Sequence, residues 1–350
     1  MKKILICLPN LNGGGAERVC VNIANKLSEE GNDVTLVISQ QSGVYFNQVS
    51  KEIPIVCLNC KKTSFSIFKL LSVVKKLSPQ VVISSTHRMN TQAAILRLIS
   101  RCKFTLYLRL PNSPRLEVKN GVLPSWKLFF YSIVYKVANY VVSQSYEMGE
   151  EAKFYFGING KKIKILINPL DVDILNLHIN NTNNPYMKDR INFLAAGRLH
   201  YQKGFDVLIR SFSDAVKFNP SMDLYIIGKD NGEEHNLKKL VKKLNLDNNV
   251  QFLGFKDNPY IYMKHADCFI LSSRWEGLPN TVLESLYLGT PVIATRCVRI
   301  LNDLIVEGLN GFLIDIDDQR ALSSAILNFS KLNSGRSYEP EAKRISSLFN

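Results

Sequence analysis

Two doubly wound α/β domains in tandem, each Rossmann-like, are what the sequence predicts, and three observations carry that reading. Short apolar runs alternate with amphipathic helical stretches, the pattern of βα units on a parallel sheet. Loops with glycine or unusual polar residues stand at the carboxyl ends of these runs, as at Gly13-Gly14-Gly15 and Gly197-Arg198. The alternation breaks at a polar stretch, Asn180 to Pro185, and then restarts. A chain of 350 residues is long for one domain and comfortable for two.

Ile4 to Leu8 reads as the first strand. Met1-Lys2-Lys3 imitates the start of a signal peptide, but the apolar run is too short and no small-residue cleavage site follows. The loop from Pro9 to Gly15 holds a glycine triplet that permits positive φ and close approach to a ligand. A helix from Ala16 to about Glu30 places Val19, Ile23, Ala24 and Leu27 on one face, and Gly31 stops it before the strand Val34 to Ser39. The match to a dinucleotide fingerprint is partial, because Arg18 stands where the third glycine would. Lys61 to Leu77 is a basic amphipathic helix with two open readings: on an anionic membrane surface, or packed on the sheet.

Strands follow at Val81 to Ser84, running into His87, and at Phe104 to Leu108, running into Arg109 to Asn112. Trp126 to Tyr140 is a second aromatic, basic segment. Val141 to Ser143 and Lys164 to Ile167 are further strands, and Leu175 to Asp189 reads as linker. The second domain begins with the strand Ile191 to Ala196, a loop to Gly204, and a helix from Phe205 to about Phe218. Strands at Asp223 to Ile227 and Val250 to Leu253 flank a lysine-rich helix from Glu234 to Leu244. Cys268 to Leu271 is a buried strand, and Pro279-Asn280 opens a helix that Gly289-Thr290-Pro291 closes. Val292 to Thr295, the run from Gly311 to Leu313 and a helix from Gln319 to Phe329 complete it. The expected domains are 1–170 and 171–330, with 331–350 a tail placed to return to the first domain.

No run of apolar residues is long enough to span a bilayer. Seven scattered cysteines fit a reducing compartment. Cys57 and Cys60 have redox-motif spacing, but no second pair or nearby histidine completes a metal site. The charge is lopsided: residues 1–180 hold 23 Lys and Arg against 11 Asp and Glu, while residues 181–350 hold 21 against 19. An excess confined to one half reads as a binding surface for something anionic.

The chemistry concentrates in the loops. Arg198 and Lys203 place cations beside a helix N-terminus, which already favours an anion. Glu276 sits in the loop after Cys268 to Leu271, and Glu284 lies about one turn into the next helix. Cations for a diphosphate beside carboxylates suited to hydroxyls fit a nucleotide-sugar donor.

These segments identify a resemblance. Asn12 to Val19, Asn168-Pro169-Leu170-Asp171, Gly197-Arg198-Leu199 with Lys203-Gly204, Gly228, Phe252-Leu253-Gly254, and Glu276-Gly277-Leu278-Pro279-Asn280 with Glu284 resemble the retaining GT-B glycosyltransferases of family 4, or group 1. The resemblance covers nearly the whole chain. It implies two domains facing across a cleft, with catalysis by Glu276, Arg198 and Lys203 and a part for His87. Donor contacts fall to Gly14, Gly15, Arg198, Lys203, Glu276, Gly277, Leu278 and Glu284, with Glu284 on the ribose and Glu276 on the sugar. No metal or other cofactor is implied, and Asp171-Val172-Asp173 is discounted as a metal motif because it continues the Asn-Pro-Leu-Asp segment.

The expected function is transfer of a hexose or N-acetylhexosamine from a UDP-sugar, with retention, to a lipid-linked saccharide in surface glycan biosynthesis. The expected location is the inner face of the cytoplasmic membrane, held peripherally by the basic N-terminal half, with no nucleic-acid partner. A sugar-nucleotide 2-epimerase of the same fold and a non-enzymatic basic binding module are the alternatives. Two departures from the family pattern stand out. Arg109 to Asn112 occupies one place where relatives carry a histidine, and Val298 to Asp303 replaces a Gly-Gly-Pro-x-Glu run, with Asp303 at the glutamate's position.

Overall fold

Each half of the chain builds its own parallel sheet. The structure is a computed structural model that describes residues 1–12, 15–60, 66–180, 183–332 and positions 335, 338, 345 and 349. One unit comprises Met1–Pro169 with Glu341–Asn350, the other Leu170–Pro340.

The first unit runs β1 (Lys3–Leu8), α1 (Gly15–Glu29), β2 (Asp33–Ile38), β3 (Ile55–Cys57), α2 (Ile67–Leu77), β4 (Val81–Ser85) and α3 (His87–Ile99). It continues with β5 (Thr105–Arg109), α4 (Pro114–Lys119), α5 (Ser125–Val137), β6 (Tyr140–Ser143), α6 (Tyr146–Phe156) and β7 (Ile163–Ile165). The strand order is β3-β2-β1-β4-β5-β6-β7, all parallel. Each strand feeds both faces: β1 sends Leu5 and Cys7 to one core and Ile4, Ile6 and Leu8 to the other. That explains the near-continuous apolar run, since a strand covered on both sides has no wet face. Ile345 is buried in this unit, its N–H donating to Glu30 Oε1 at 2.7 Å.

The second unit runs α7 (Val172–Ile179), β8 (Ile191–Ala196), α8 (Phe205–Val216), β9 (Met222–Ile227), α9 (Glu234–Lys243), β10 (Val250–Gly254) and α10 (Tyr260–His265). After these come β11 (Cys268–Leu271), α11 (Asn280–Leu288), β12 (Val292–Thr295), α12 (Leu301–Leu304), β13 (Gly311–Ile314) and α13 (Gln319–Leu327). The order β10-β9-β8-β11-β12-β13 reverses direction between β8 and β11. In the first unit the reversal lies between β1 and β4. Ligands of doubly wound sheets bind outside the carboxyl ends at such reversals.

The expected linker from Leu175 to Asp189 is corrected. Its first part is the end of α7, capped by Asp171, whose Oδ1 accepts from the Ile174 N–H at 2.9 Å. Leu175 is buried, and Tyr186 is buried with its hydroxyl donating to the Tyr262 carbonyl at 2.8 Å. The asparagines hid these apolar anchors. The basic helix expected over Lys61 to Leu77 is described from Ile67, with Leu70 and Val74 in the core, and Lys61 to Phe65 lie outside the described residues. The helix α3 was not expected, because buried Asn90 and Gln92 break its apolar period.

Candidate active site

The loops after β8 and β11 flank the reversal of the second sheet, and they are laced to each other. Gly204 has φ +62°, and a Cβ there would lie 2.1 Å from the Ser272 carbonyl oxygen, so only glycine lets the two loops touch. The Ser272 hydroxyl donates to the Lys203 carbonyl at 2.8 Å, and the Gln202 side-chain amide donates to the Trp275 carbonyl at 2.8 Å. Gly228, at the end of β9, leaves equally little room, since a Cβ would meet the Gly197 carbonyl oxygen at 1.8 Å.

That lacing brings Lys203 and Glu276 together. Lys203 Nζ lies 2.5 Å from Glu276 Oε1, which also accepts from the Ser273 hydroxyl at 2.7 Å. Both side chains are mostly buried, 17% exposed for the lysine and 10% for the glutamate. Thr295 at the end of β12 donates to the Ser273 carbonyl at 2.5 Å, fixing the hydroxyl's own backbone. Gly277 and Leu278 follow in a buried turn into α11, whose N-terminus has no side-chain cap. Uncapped N–H groups there suit an anion or a hydroxyl-rich ligand. Glu284 is buried in the same helix at 3% exposure. Arg198 is exposed, and its guanidinium has no ion pair among the described residues. Asp303, in α12, is exposed.

A second layer was not foreseen. Arg274 forks onto Asp206 with two bonds of 2.9 Å, lies 2.9 Å from an Asp317 oxygen, and rests over the Tyr201 ring at 4.0 Å. Burial pushes the Asp206 carboxyl up, but the Arg274 guanidinium outweighs it and holds the group below its ordinary value. The clamp ties the start of α8 to the loop carrying Glu276. Cys297, buried near the pair, has its thiol pushed up to about 12 by burial and then by the Glu276 charge.

In the first unit, Gly15 opens α1 after β1, and His87 opens α3 after β4, on the two sides of that sheet's reversal. Gly14 lies outside the described residues. His87 is held at both ring nitrogens and on one ring face. Its Nε2 is 2.9 Å from Glu117 Oε2, its Nδ1 is 3.2 Å from the Tyr135 hydroxyl, and its ring stacks on Tyr131 at 4.4 Å. Asn90 donates to the Tyr135 oxygen at 3.2 Å, tying α3 to the same hydroxyl that meets Nδ1. The preceding Thr86 has φ +80°, a strained conformation for a β-branched residue, costing about 1–3 kcal/mol. Arg109 is buried, donating to Ser85 Oγ at 3.3 Å and Asn168 Oδ1 at 2.5 Å. Among the predicted residues, then, Lys203, Glu276, Gly277, Leu278, Glu284 and Arg198 gather in the second unit, while Gly15 and His87 belong to the first. Arg274, Asp206, Glu117 and the tyrosines were missed. Arg274 was legible only as a charge beside Trp275, because its partners come from another loop.

Two parallel α/β units, with a cation and carboxylate cluster at a sheet reversal, have the charge and polarity to suit an anionic, hydroxyl-bearing ligand. Comparison with known proteins narrows this. The family "Glycosyl transferases group 1" matches residues 179–345, and "Glycosyltransferase Family 4" matches residues 13–174. An uncharacterized glycosyltransferase of Methanocaldococcus jannaschii is 32% identical over 286 residues, spanning 78% of this chain and 68% of the relative. The N-acetylgalactosamine-N,N'-diacetylbacillosaminyl-diphospho-undecaprenol 4-alpha-N-acetylgalactosaminyltransferase of Campylobacter jejuni is 28% identical over 367 residues, spanning 100% and 96%. Among solved structures, Anabaena HepE in complex with UDP and glucose superposes with a TM-score of 0.78 at 18% identity, covering 95% of this chain and 91% of that one. WaaG, a glycosyltransferase of lipopolysaccharide biosynthesis, gives 0.71 at 14% identity, covering 93% and 90%. The chain belongs to the group 1, family 4 glycosyltransferases and has their two-domain GT-B fold. Among the described residues no helix is long and apolar enough to cross a membrane.

Proposed function

We propose that this chain moves a hexose or N-acetylhexosamine from a UDP-sugar, with retention, to a lipid-linked saccharide in surface glycan biosynthesis, at the inner face of the cytoplasmic membrane. The observation that carries the reading is the Lys203–Glu276 pair, set at the sheet reversal beside the uncapped start of α11. The relatives support the substrate classes: the Campylobacter enzyme is named for a diphospho-undecaprenol acceptor, and HepE is described with UDP-glucose.

The bond between the sugar's anomeric carbon and the diphosphate oxygen breaks, and one forms to the acceptor hydroxyl oxygen. The hydroxyl proton passes to the departing phosphate oxygen. Arg198 and Lys203 stabilise the charge that grows on the diphosphate, which is where preorganised cations act most strongly. Their two charges stand where other enzymes use a metal, and no metal is proposed. Glu276 orients the sugar hydroxyls with the N–H groups of Gly277 and Leu278, and Glu284 holds the ribose diol. Gly14 and Gly15 admit the donor phosphate and acceptor. His87, with both ring nitrogens engaged, positions rather than carries a proton. Glu276→Ala should reduce transfer by at least roughly a hundredfold, the scale of losing one transition-state contact, with folding retained by circular dichroism. Wild-type turnover in that variant would remove the assignment.

A further inference from the structure

Resting on the lipid-linked acceptor proposed above, we infer that α5 seats the first unit on an anionic lipid bilayer, with Trp126, Phe129, Phe130 and Ile133 in the interface. These four side chains are 68%, 71%, 43% and 51% exposed. Their spacing, i, i+3, i+4, i+7, puts them on one stripe of the helix. The buried residues of α5 are Val134 and Tyr135, so the helix has an inner face on the core and a second, exposed apolar stripe. The basic helix α2 differs: Leu70 and Val74 are in the core and Phe68 alone is a large exposed apolar residue.

Charge selects the occupant. From Ile53 to Tyr146 the chain has fourteen basic residues and one acidic residue, Glu117, which is buried against His87. Lys136 is exposed on α5, and Lys127 Nζ lies 5.5 Å from the Trp126 ring. Arg101, Lys103, Arg115 and Lys119 are exposed nearby in sequence. Aromatic and aliphatic side chains flanked by lysines fit the headgroup boundary of an anionic membrane. A second copy of the chain would bring this basic surface against itself, and a nucleic acid would offer no hydrocarbon for the apolar stripe. The other side of α5 supplies Tyr131 and Tyr135 to His87. The lipid-facing helix therefore also builds the network at the first unit's sheet reversal, where a membrane-borne acceptor would be presented.

The chain has two tryptophans, and Trp275 is only 6% exposed, so Trp126 reports the interface by itself. Full-length protein is titrated with phosphatidylglycerol vesicles whose acyl chains carry bromine. Quenching of the tryptophan signal at low salt, lost in Trp126→Phe and weakened by screening salt, is the expected result. Phe129→Ser with Ile133→Ser should weaken vesicle binding on the order of tenfold, with an unchanged melting temperature. Absence of vesicle binding would overturn the inference, as would binding with Trp126 unquenched. A concentration-dependent dimer that buries Trp126, or nucleic-acid binding of equal strength, would also overturn it. Transfer to a detergent-solubilised acceptor is measured separately. Turnover without lipid quenching removes only the docking, and quenching without turnover upholds the docking and removes only the transferase reading.

Discussion

Replacing Lys203 by Met tests whether the ion pair is built as described. Methionine keeps most of the aliphatic stem, which packs so closely that a Cβ on Gly197 would lie 2.8 Å from Lys203 Cε. It removes Nζ and leaves Glu276 with the Ser273 hydroxyl as its remaining described partner. Stranding one member of a buried pair costs about 3–5 kcal/mol, and the residual solvent contact here argues for the low end, about 3 kcal/mol. For a domain of this size each kcal/mol lowers the melting temperature by about 2–4 °C, so the second unit should melt roughly 6–12 °C lower. Adding Glu276→Gln removes the stranded charge and should recover part of the loss. Differential scanning calorimetry on the wild type, the single variants and the double variant reads all of this. A Lys203→Met protein melting within about 2 °C of wild type, or a double variant no better than the single, would refute the reasoning.

Further outcomes follow from the same geometry. Gly228→Ala forces a backbone carbonyl to move, and should cost about 2–3 kcal/mol and weaken UDP binding in calorimetric titration. Asp206, held below its ordinary value of 3.8 by Arg274, contributes stability that is present above that value and lost as pH falls through the folded value. Asp206→Asn should therefore flatten the acid limb of the stability–pH curve in urea melts, and an unchanged limb would remove the clamp. Burial pushes the thiols of Cys7, Cys20, Cys268 and Cys297 well above their ordinary value. A thiol reagent at pH 8 should then label the partly exposed Cys57 and Cys102 in the native protein, with those four reacting only after unfolding.

The fold was largely legible, because both-sided burial writes parallel strands as apolar runs and glycines punctuate their ends. Errors arose where polar residues are inside. Asn90 and Gln92 concealed α3, and the asparagines around Asn180 concealed α7 and Tyr186. At the candidate site, Glu276, Glu284, Arg198 and Lys203 stood out as loop and helix-start residues after strands, but their mutual geometry was not readable. The ion pair joins positions 73 residues apart, and Arg274 reaches 68 residues back to Asp206. Spacing carries no information about such contacts until the strand order is known. His87 was visible as a residue after a strand, yet Glu117 and Tyr135 reach it from two other helices.

The most direct test of the central claim is a transfer assay. Purified chain is incubated with a panel of UDP- and GDP-sugars, with and without a saccharide on a polyprenyl diphosphate, and products are read by mass spectrometry. The account predicts that one UDP-sugar is consumed only when the lipid-linked acceptor is present, which gains one sugar, and that Glu276→Ala abolishes the gain. An epimerised nucleotide sugar formed without acceptor, or UDP binding with no sugar transferred from any donor, would contradict it.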